Sequence, residues 1–343
     1  SDGKLQKSTG SVKEPKNSNI AGRSNIPREG EKEVQGRSVG IRTYEFERIA
    51  ALLPLEELNT LLGPADFEHL VKNAVLTRKR SVAMAGLQRR FRRLFHAHSG
   101  RTVLVPLDHG LTEGLLPGLE HTSAFVDHAA RHAVQGVVLH QGAAEVWGAP
   151  RLALDQRLVV HLSGGTRYAE SSYRKTGVCS VDQALRSGAD AVSVHVNIGN
   201  RFEGEMLSDL AAVRERAHSL GIPVLAMLYA RGPAVADDQD PELIGHCIRV
   251  GVELGADVVK VGFGKDPQAF AAHVRACPVP VVIAGGPAQP NWSAFLDMVA
   301  TALDCGAAGV SIGRNLFQHP APGQAIGDLC QVVHGHAGND CHG

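Results

Sequence analysis

From about residue 100 onward the chain alternates short β-branched runs with segments of helical length, and it does so eight times. The runs are Val103 to Leu107, Val137 to His140, Leu158 to Leu162, Ala191 to Val196, Pro223 to Leu228, Val258 to Val261, Pro280 to Ala284 and Gly309 to Ile312. A helix between two strands returns the chain to the same edge, so strands spaced this way pair in parallel. Eight such units predict an α/β fold, a closed (β/α)8 TIM barrel over 100–333, with an open doubly wound sheet as the alternative. The junctions support the alternation. Gly188-Ala189-Asp190, Gly255-Ala256-Asp257 and Gly306-Ala307-Ala308 each end a helical segment on a glycine able to take the left-handed C-cap. Ser180-Val181-Asp182-Gln183 fits a capping box, and Asp240-Pro241 sets an N-cap before a first-turn proline.

The flanks read differently. Residues 1–40 are rich in Ser, Lys, Asn, Glu and Gly without an aromatic, a composition expected to stay disordered because it buries too little to offset ordering. Residues 41–99 predict a helical extension. Its first part carries Phe46, Ile49, Leu52, Leu55, Leu58, Leu61, Phe67 and Leu70, broken at Pro54 and Gly63-Pro64. Its second part is basic, yet Leu87, Phe91, Leu94 and Phe95 fall on one helical face, which predicts a helix docked on a core with its arginines in water rather than a nucleic-acid patch. Residues 334–343, with His334, His336, Cys341 and His342, are expected to form a frayed tail.

Bulk properties exclude several function classes. Lys plus Arg and Asp plus Glu are both 35, so no global field favours nucleic acid or an anionic membrane as partner. The apolar runs are strand-length, far short of the roughly 20 residues of a spanning helix. Six cysteines stand singly, without zinc or disulfide spacing, and are read as reduced thiols. Although the chain begins Ser-Asp rather than Met, no apolar signal core opens it, and a cytoplasmic enzyme is expected.

In a barrel the reacting groups gather where strands end. The first run closes on Leu107-Asp108-His109-Gly110, placing an acid at the rim. The fifth closes on Leu228-Tyr229-Ala230-Arg231-Gly232, a phenol with a guanidinium nearby. The sixth is Asp257-Val258-Val259-Lys260-Val261-Gly262, with an amine among valines. Desolvating an ammonium costs free energy unless it is paired or neutral, and a neutral amine attacks carbonyls. The alternative is a lysine whose head snorkels to the rim or pairs with Asp108. The last two runs end in Ala284-Gly285-Gly286-Pro287 and Ile312-Gly313-Arg314-Asn315. Bare backbone N–H groups beside a cation, at adjacent strand ends, favour a phosphorylated ligand.

Assembled, these strings resemble the archaeal-type class I fructose-bisphosphate aldolases and their relatives, the 2-amino-3,7-dideoxy-heptulosonate synthases, from about residue 84 to 333. The resemblance is carried by Val105-Pro106-Leu107-Asp108-His109-Gly110, His161-Leu162-Ser163-Gly164-Gly165-Thr166, Ala191-Val192-Ser193-Val194-His195-Val196-Asn197 and Asp240-Pro241-Glu242-Leu243. Leu254 to Lys260, Val281 to Pro287 and Gly313 to His319 complete it. The resemblance implies Lys260 as the Schiff-base lysine, Tyr229 as proton donor and Asp108 as the acid moving protons around the carbinolamine and enamine. It also implies substrate contacts from Asp108, His109, Gly110, Leu111, Thr112, Tyr229, Ala230 and Arg231, with Gly285, Gly286, Gly313 and Arg314 as phosphate-binding turns. Arg231 could face an acceptor carboxylate or form a structural ion pair. No metal or other cofactor beyond the covalent lysine is expected, and the partners implied are a phosphorylated ketose, a small aldehyde and further copies of the chain in a ring.

Three departures bear on substrate rather than on the lysine. The family's Tyr-Pro-Arg-Gly reads Tyr229-Ala230-Arg231-Gly232, its Thr-Xaa-Tyr-Thr-Gly-Asp reads Val261-Gly262-Phe263-Gly264-Lys265-Asp266, and its His-Lys-Gly reads His140-Gln141-Gly142. The Ser163 to Thr166 and His195 to Asn197 strings are closer to the heptulosonate branch, which joins a phosphorylated ketose fragment to aspartate semialdehyde for an aromatic or aminobenzoate precursor route. The glycolytic fructose-bisphosphate aldolase is the alternative. A metal-dependent aldolase using His109, His140, His161 and His195, a thiolase-like acyl transferase and a non-catalytic sugar-phosphate sensor are further alternatives.

Overall fold

A computed structural model describes residues 84–335. The expectations for 1–83 and for 336–343 lie outside the described residues. Eight parallel strands close a barrel, and all eight expected runs supply one each: β1 (Thr102–Pro106), β2 (Gly136–Leu139), β3 (Arg157–His161), β6 (Ala191–Ile198), β7 (Val224–Ala230), β8 (Val258–Val261), β9 (Val281–Ala284) and β10 (Gly309–Ser311). Around the barrel the order is β1-β10-β9-β8-β7-β6-β3-β2. β4 (Ser163–Gly164) and β5 (Thr176–Gly177), two residues each, pair as a short antiparallel ribbon over the mouth that the sequence does not reveal, because elements this short carry no periodicity. No helix among the described residues is long and apolar enough to cross a membrane. The five described cysteines are free thiols.

Local chemistry sets the element ends. The Ser180 side chain accepts a hydrogen bond from Gln183 N, and Asp240 accepts one from Glu242 N with Pro241 in the first turn. Gly188, Gly255 and Gly306 have φ of 89°, 78° and 102°, the left-handed backbone their positions after helices require. In two junctions the aspartate does a second task. An Asp190 carboxylate oxygen accepts from Leu158 N, and Asp257 accepts from Val224 N at 2.9 Å and from His218 Nε2 at 2.8 Å, so each pins the start of its neighbouring strand.

Strand parity then divides the side chains. Val103, Val105, Val192, Val194, Val259 and Val261 face the surrounding helices in the outer core. Leu104, Val138, Val159, Ala191, Leu225, Val258 and Val282 face inward, joined from below by Leu94 and Phe95. The basic segment behaves as its pattern predicts, with one difference. The helix Ala85–Arg92 ends before the apolar stripe does, and Leu94 and Phe95 plug the barrel floor from the turn that follows. Its arginines stay largely in solvent, although Arg90 donates to Gly221 O at 3.0 Å.

His334 corrects the expected tail boundary. It is the last residue of the helix Pro322–His334, is buried, and bonds through Nε2 to Ala133 O and through Nδ1 to Ser99 Oγ. The apolar spacing of Ile326, Leu329, Cys330 and Val333 carries the helix through it, which a histidine-rich composition had masked.

Candidate active site

Inward parity continues upward from the apolar floor. On β8, Val258 lies in the floor and Lys260, two residues on, is the next inward position, 5% exposed. Its register partners are Met227 on β7 and Val282 on β9. Tyr229, two residues beyond Met227, is the inward residue one layer higher, with its ring against the barrel interior. Asp108 enters from the turn after β1, and His161 and His195 take inward positions on β3 and β6.

Two cavities meet at Lys260. One, of about 280 Å³, is lined by Gly285, Gly286, Gly313, Arg314 and the Gly262 to Gly264 turn. The other, of about 140 Å³, is lined by Asp108, Thr112, Glu113, His140, His161 and Lys175, among others. His109, Tyr229, Arg231, Lys260 and Arg314 line both, so the lysine stands on the shared wall. The sequence-predicted site residues are thus largely brought together, with two exceptions. Gly110 and Leu111 line neither cavity, and Leu111 packs towards Gly164 instead. Ala230 lines the larger cavity although its side chain belongs to the outer core.

The glycine turns of the larger cavity are tied together by a residue to which the sequence reading gave no role. Asn315, 4% exposed, donates from Nδ2 to Gly285 O and Pro287 O, and its Oδ1 accepts from Gln289 N at 2.7 Å. One side chain therefore holds the loop after β9 against the loop after β10. At Gly313 the backbone runs so close to β1 that a Cβ would sit 2.4 Å from Pro106 O. Asn315→Ala is expected to leave Gly285 O, Pro287 O and Gln289 N without this partner, costing about 1 kcal/mol of stability. It should also weaken binding of a phosphorylated ketone about 10-fold or more, read by titration of donor against the purified variant.

The smaller cavity carries a defined hydrogen-bond order. Because a carbonyl only accepts, the 3.2 Å contact between His140 Nδ1 and His161 O puts the proton on Nδ1. Asn197 donates from Nδ2 to Tyr173 O, which turns its Oδ1 towards His195 Nε2 at 2.8 Å and places the His195 proton there. The His195 ring lies 5.0 Å from that of Tyr229, and the Arg231 guanidinium sits 4.6 Å over the other ring's centroid. His161 shares a 2.8 Å hydrogen bond with Ser193 Oγ through Nδ1, and its Nε2 is 3.8 Å from Asp108.

Burial pushes the His161 imidazole down to about 4 against the attraction of Asp108, and burial also lowers His140 and His109 and holds His195 well below its ordinary value. For Asp108 burial acts in the opposite sense, but His161, His109, Lys260 and His140 outweigh it and hold the carboxyl well below the usual carboxylate range. At neutral pH the chamber thus presents an ionised carboxylate among uncharged imidazoles. Among the described residues no three His, Cys, Asp or Glu side chains converge where a metal ion could sit. Arg231 has no ion-pair partner among the described residues, its visible engagement being the stack on Tyr229.

Known proteins share this arrangement of chain. The DeoC/LacD family aldolase pattern matches residues 102–319. A 2-amino-4,5-dihydroxy-6-oxo-7-(phosphonooxy)heptanoate synthase of Streptomyces griseus is 43% identical over 71% of this chain and 89% of its own. A 2-amino-3,7-dideoxy-D-threo-hept-6-ulosonate synthase of Archaeoglobus fulgidus is 38% identical over 74% of this chain and 92% of its own. Among solved structures, an archaeal fructose-1,6-bisphosphate aldolase with its catalytic lysine covalently bound to the carbinolamine intermediate superposes with a TM-score of 0.67 at 29% identity, covering 73% of this chain and 100% of that one. With a barrel whose eight strands close in chain order and a pattern match running from β1 to beyond β10, the chain belongs to the DeoC/LacD family of aldolases.

Proposed function

We propose that this class I aldolase condenses dihydroxyacetone phosphate with aspartate semialdehyde, using Lys260 as the Schiff-base nucleophile. The single observation that carries the reading is the position of Lys260: a buried amine on the wall between a glycine-lined cavity and a chamber holding an ionised acid and a phenol. The product named for the Streptomyces griseus relative supports the substrates. In a β-hydroxyketone the bond made by aldol addition joins the carbon next to the ketone to the carbon bearing the hydroxyl. Cutting that bond in 2-amino-4,5-dihydroxy-6-oxo-7-(phosphonooxy)heptanoate leaves a three-carbon phosphorylated ketone and a four-carbon amino-acid aldehyde. Those fragments are dihydroxyacetone phosphate and aspartate semialdehyde.

In this scheme the donor phosphate rests on the backbone at Gly285, Gly286 and Gly313 beside the Arg314 guanidinium. The Lys260 amine adds to the ketone carbon, and the carbinolamine loses water to give an iminium, with Asp108 moving the protons. The iminium draws electrons from the neighbouring carbon, which surrenders a proton and becomes the enamine. That carbon attacks the acceptor's aldehyde while Tyr229 protonates the aldehyde oxygen, a contribution of roughly 10²- to 10⁴-fold for such a group. Water then releases the product and restores the amine.

Borohydride reduction in the presence of dihydroxyacetone phosphate, followed by peptide mass mapping, tests the scheme. The expected result is one donor equivalent on Lys260 and none without donor; an unlabelled protein overturns it. Condensation rates with aspartate semialdehyde and with glyceraldehyde 3-phosphate separate the two branches, because faster turnover of the latter returns the fructose-bisphosphate reading.

A further inference from the structure

Every residue from 172 to 178 is exposed except Lys175, which is 8% exposed. A lysine is the residue least expected to turn inward from a polar surface loop, since its head loses hydration there. The fold forces the turn. Ser163 pairs with Gly177 and Gly164 with Thr176, so the chain doubles back across the barrel mouth and delivers Lys175 into the smaller chamber. Gly165 leaves room for this path, for a Cβ on it would stand 2.6 Å from Arg174 O and 3.6 Å from Lys175 Cδ.

The head group arrives without a counter-ion. Its nearest partners are neutral and long, Thr112 Oγ1 at 3.4 Å and Gly165 O at 3.5 Å. No carboxylate among the described residues lies within ion-pair distance of it. Two carboxylates do face the chamber, Asp108 and Glu113, but neither comes within ion-pair distance of the head group, and burial outweighs their attraction. Burial, followed by the neighbouring Arg231 charge, lowers Lys175 from its ordinary value. An anion entering the chamber relieves both penalties, because a desolvated cation recovers its lost hydration only from a charge or donor-rich partner.

The location decides whose anion it is. The donor's phosphate has its own cradle in the other cavity, formed by the ends of β9 and β10. Lys175 stands on the opposite side of Lys260, in the half of the mouth formed by the ends of β2, β3 and β6. Whatever reaches Lys260 from that side is the second substrate.

We propose that Lys175 is a specificity-determining residue that receives the carboxylate of the aldehyde acceptor, so that the enzyme selects amino-acid aldehydes over neutral ones. The inference rests on the aldolase reading above and adds the residue that selects its acceptor. The carboxylate of a four-carbon acceptor lies at the end remote from the reacting carbonyl, the end that this geometry directs away from Lys260 and towards Lys175.

The test compares kcat/KM for aspartate semialdehyde and for butanal, with dihydroxyacetone phosphate saturating, in the parent enzyme, Lys175→Met and Lys175→Arg. Loss of one charge-assisted hydrogen bond is expected to reduce the ratio of the two values about 10- to 100-fold in Lys175→Met, chiefly through KM for aspartate semialdehyde, and Lys175→Arg should retain most of it. An unchanged ratio overturns the proposal. So does an equal loss on both aldehydes, which would make Lys175 a brace for the loop through Thr112 and Gly165. If Lys175→Met fails to fold, Lys175→Gln takes its place: a ratio lowered about 10-fold or more supports the anchor, and an unchanged ratio refutes it. Borohydride trapping of the parent with donor alone is run in parallel. Absence of that adduct brings down the aldolase scheme and this inference together, whereas a normal adduct with an unchanged ratio removes the inference only.

Discussion

Lys260→Ala is expected to abolish the borohydride-dependent adduct with dihydroxyacetone phosphate and to lower kcat at least about 10⁴-fold, the scale on which enzymes lose a covalent nucleophile. The reason is positional. Lys260 projects from a strand whose inward neighbours Met227 and Val282 fix its direction, and its amine opens onto both cavities at once. Lys175 lines only the smaller chamber, on a loop, and is too poorly placed to replace it on the donor side. Lys260→Arg makes the experiment sharper. It places a permanent positive charge beside Asp108, yet a guanidinium does not form a Schiff base. Its loss should equal that of alanine. Turnover by the arginine variant within 10-fold of the parent would mean that the residue supplies charge and not a bond.

Tyr229→Phe is expected to separate capture from condensation. The substitution removes the hydroxyl and leaves the ring, which keeps its packing against His195 at 5.0 Å and beneath the Arg231 guanidinium at 4.6 Å. Donor trapping on Lys260 should therefore persist, while kcat for carbon–carbon bond formation falls by roughly 10²- to 10⁴-fold, the worth of a positioned proton carrier. Steady-state condensation measured beside adduct yield checks both halves. Parent-like condensation by the phenylalanine variant would shift the proton transfer to another group. His195 would then be the next to examine, since Asn197 holds its Nε2 proton and leaves Nδ1 with a lone pair.

The barrel was readable in the sequence because its information is local. Valine-rich runs such as Ala191 to Val196 and Pro280 to Ala284 state strand length within a few residues, and Gly188, Gly255 and Gly306 mark where helices stop. Lys260, Tyr229 and Asp108 were legible for the same reason, as polar residues closing or interrupting apolar strands. The family resemblance then attached chemistry to them. Asn315 follows Gly313 and Arg314 in the chain, but its task is invisible there, because its three partners lie on a different loop. His334 was misplaced since composition suggested a tail where packing against Ser99 and Ala133 makes a buried helix end.

Nothing in the sequence marks Lys175 as a site residue. It sits in the polar stretch Ser171-Ser172-Tyr173-Arg174-Lys175-Thr176, where neither periodicity nor spacing sets it apart. Only the ribbon between β4 and β5 turns it inward.

What the sequence by itself determined is the succession of strands and helices and the identity of the groups standing where strands finish. These follow from backbone preferences and apolar period, which act over a handful of neighbouring residues. Only the tertiary structure decided that Lys260 faces into the barrel, that it divides two cavities, and that an amine from a surface loop returns to one of them. Those facts depend on barrel closure, strand register and the path of one loop, and each is fixed by contacts between residues far apart along the chain.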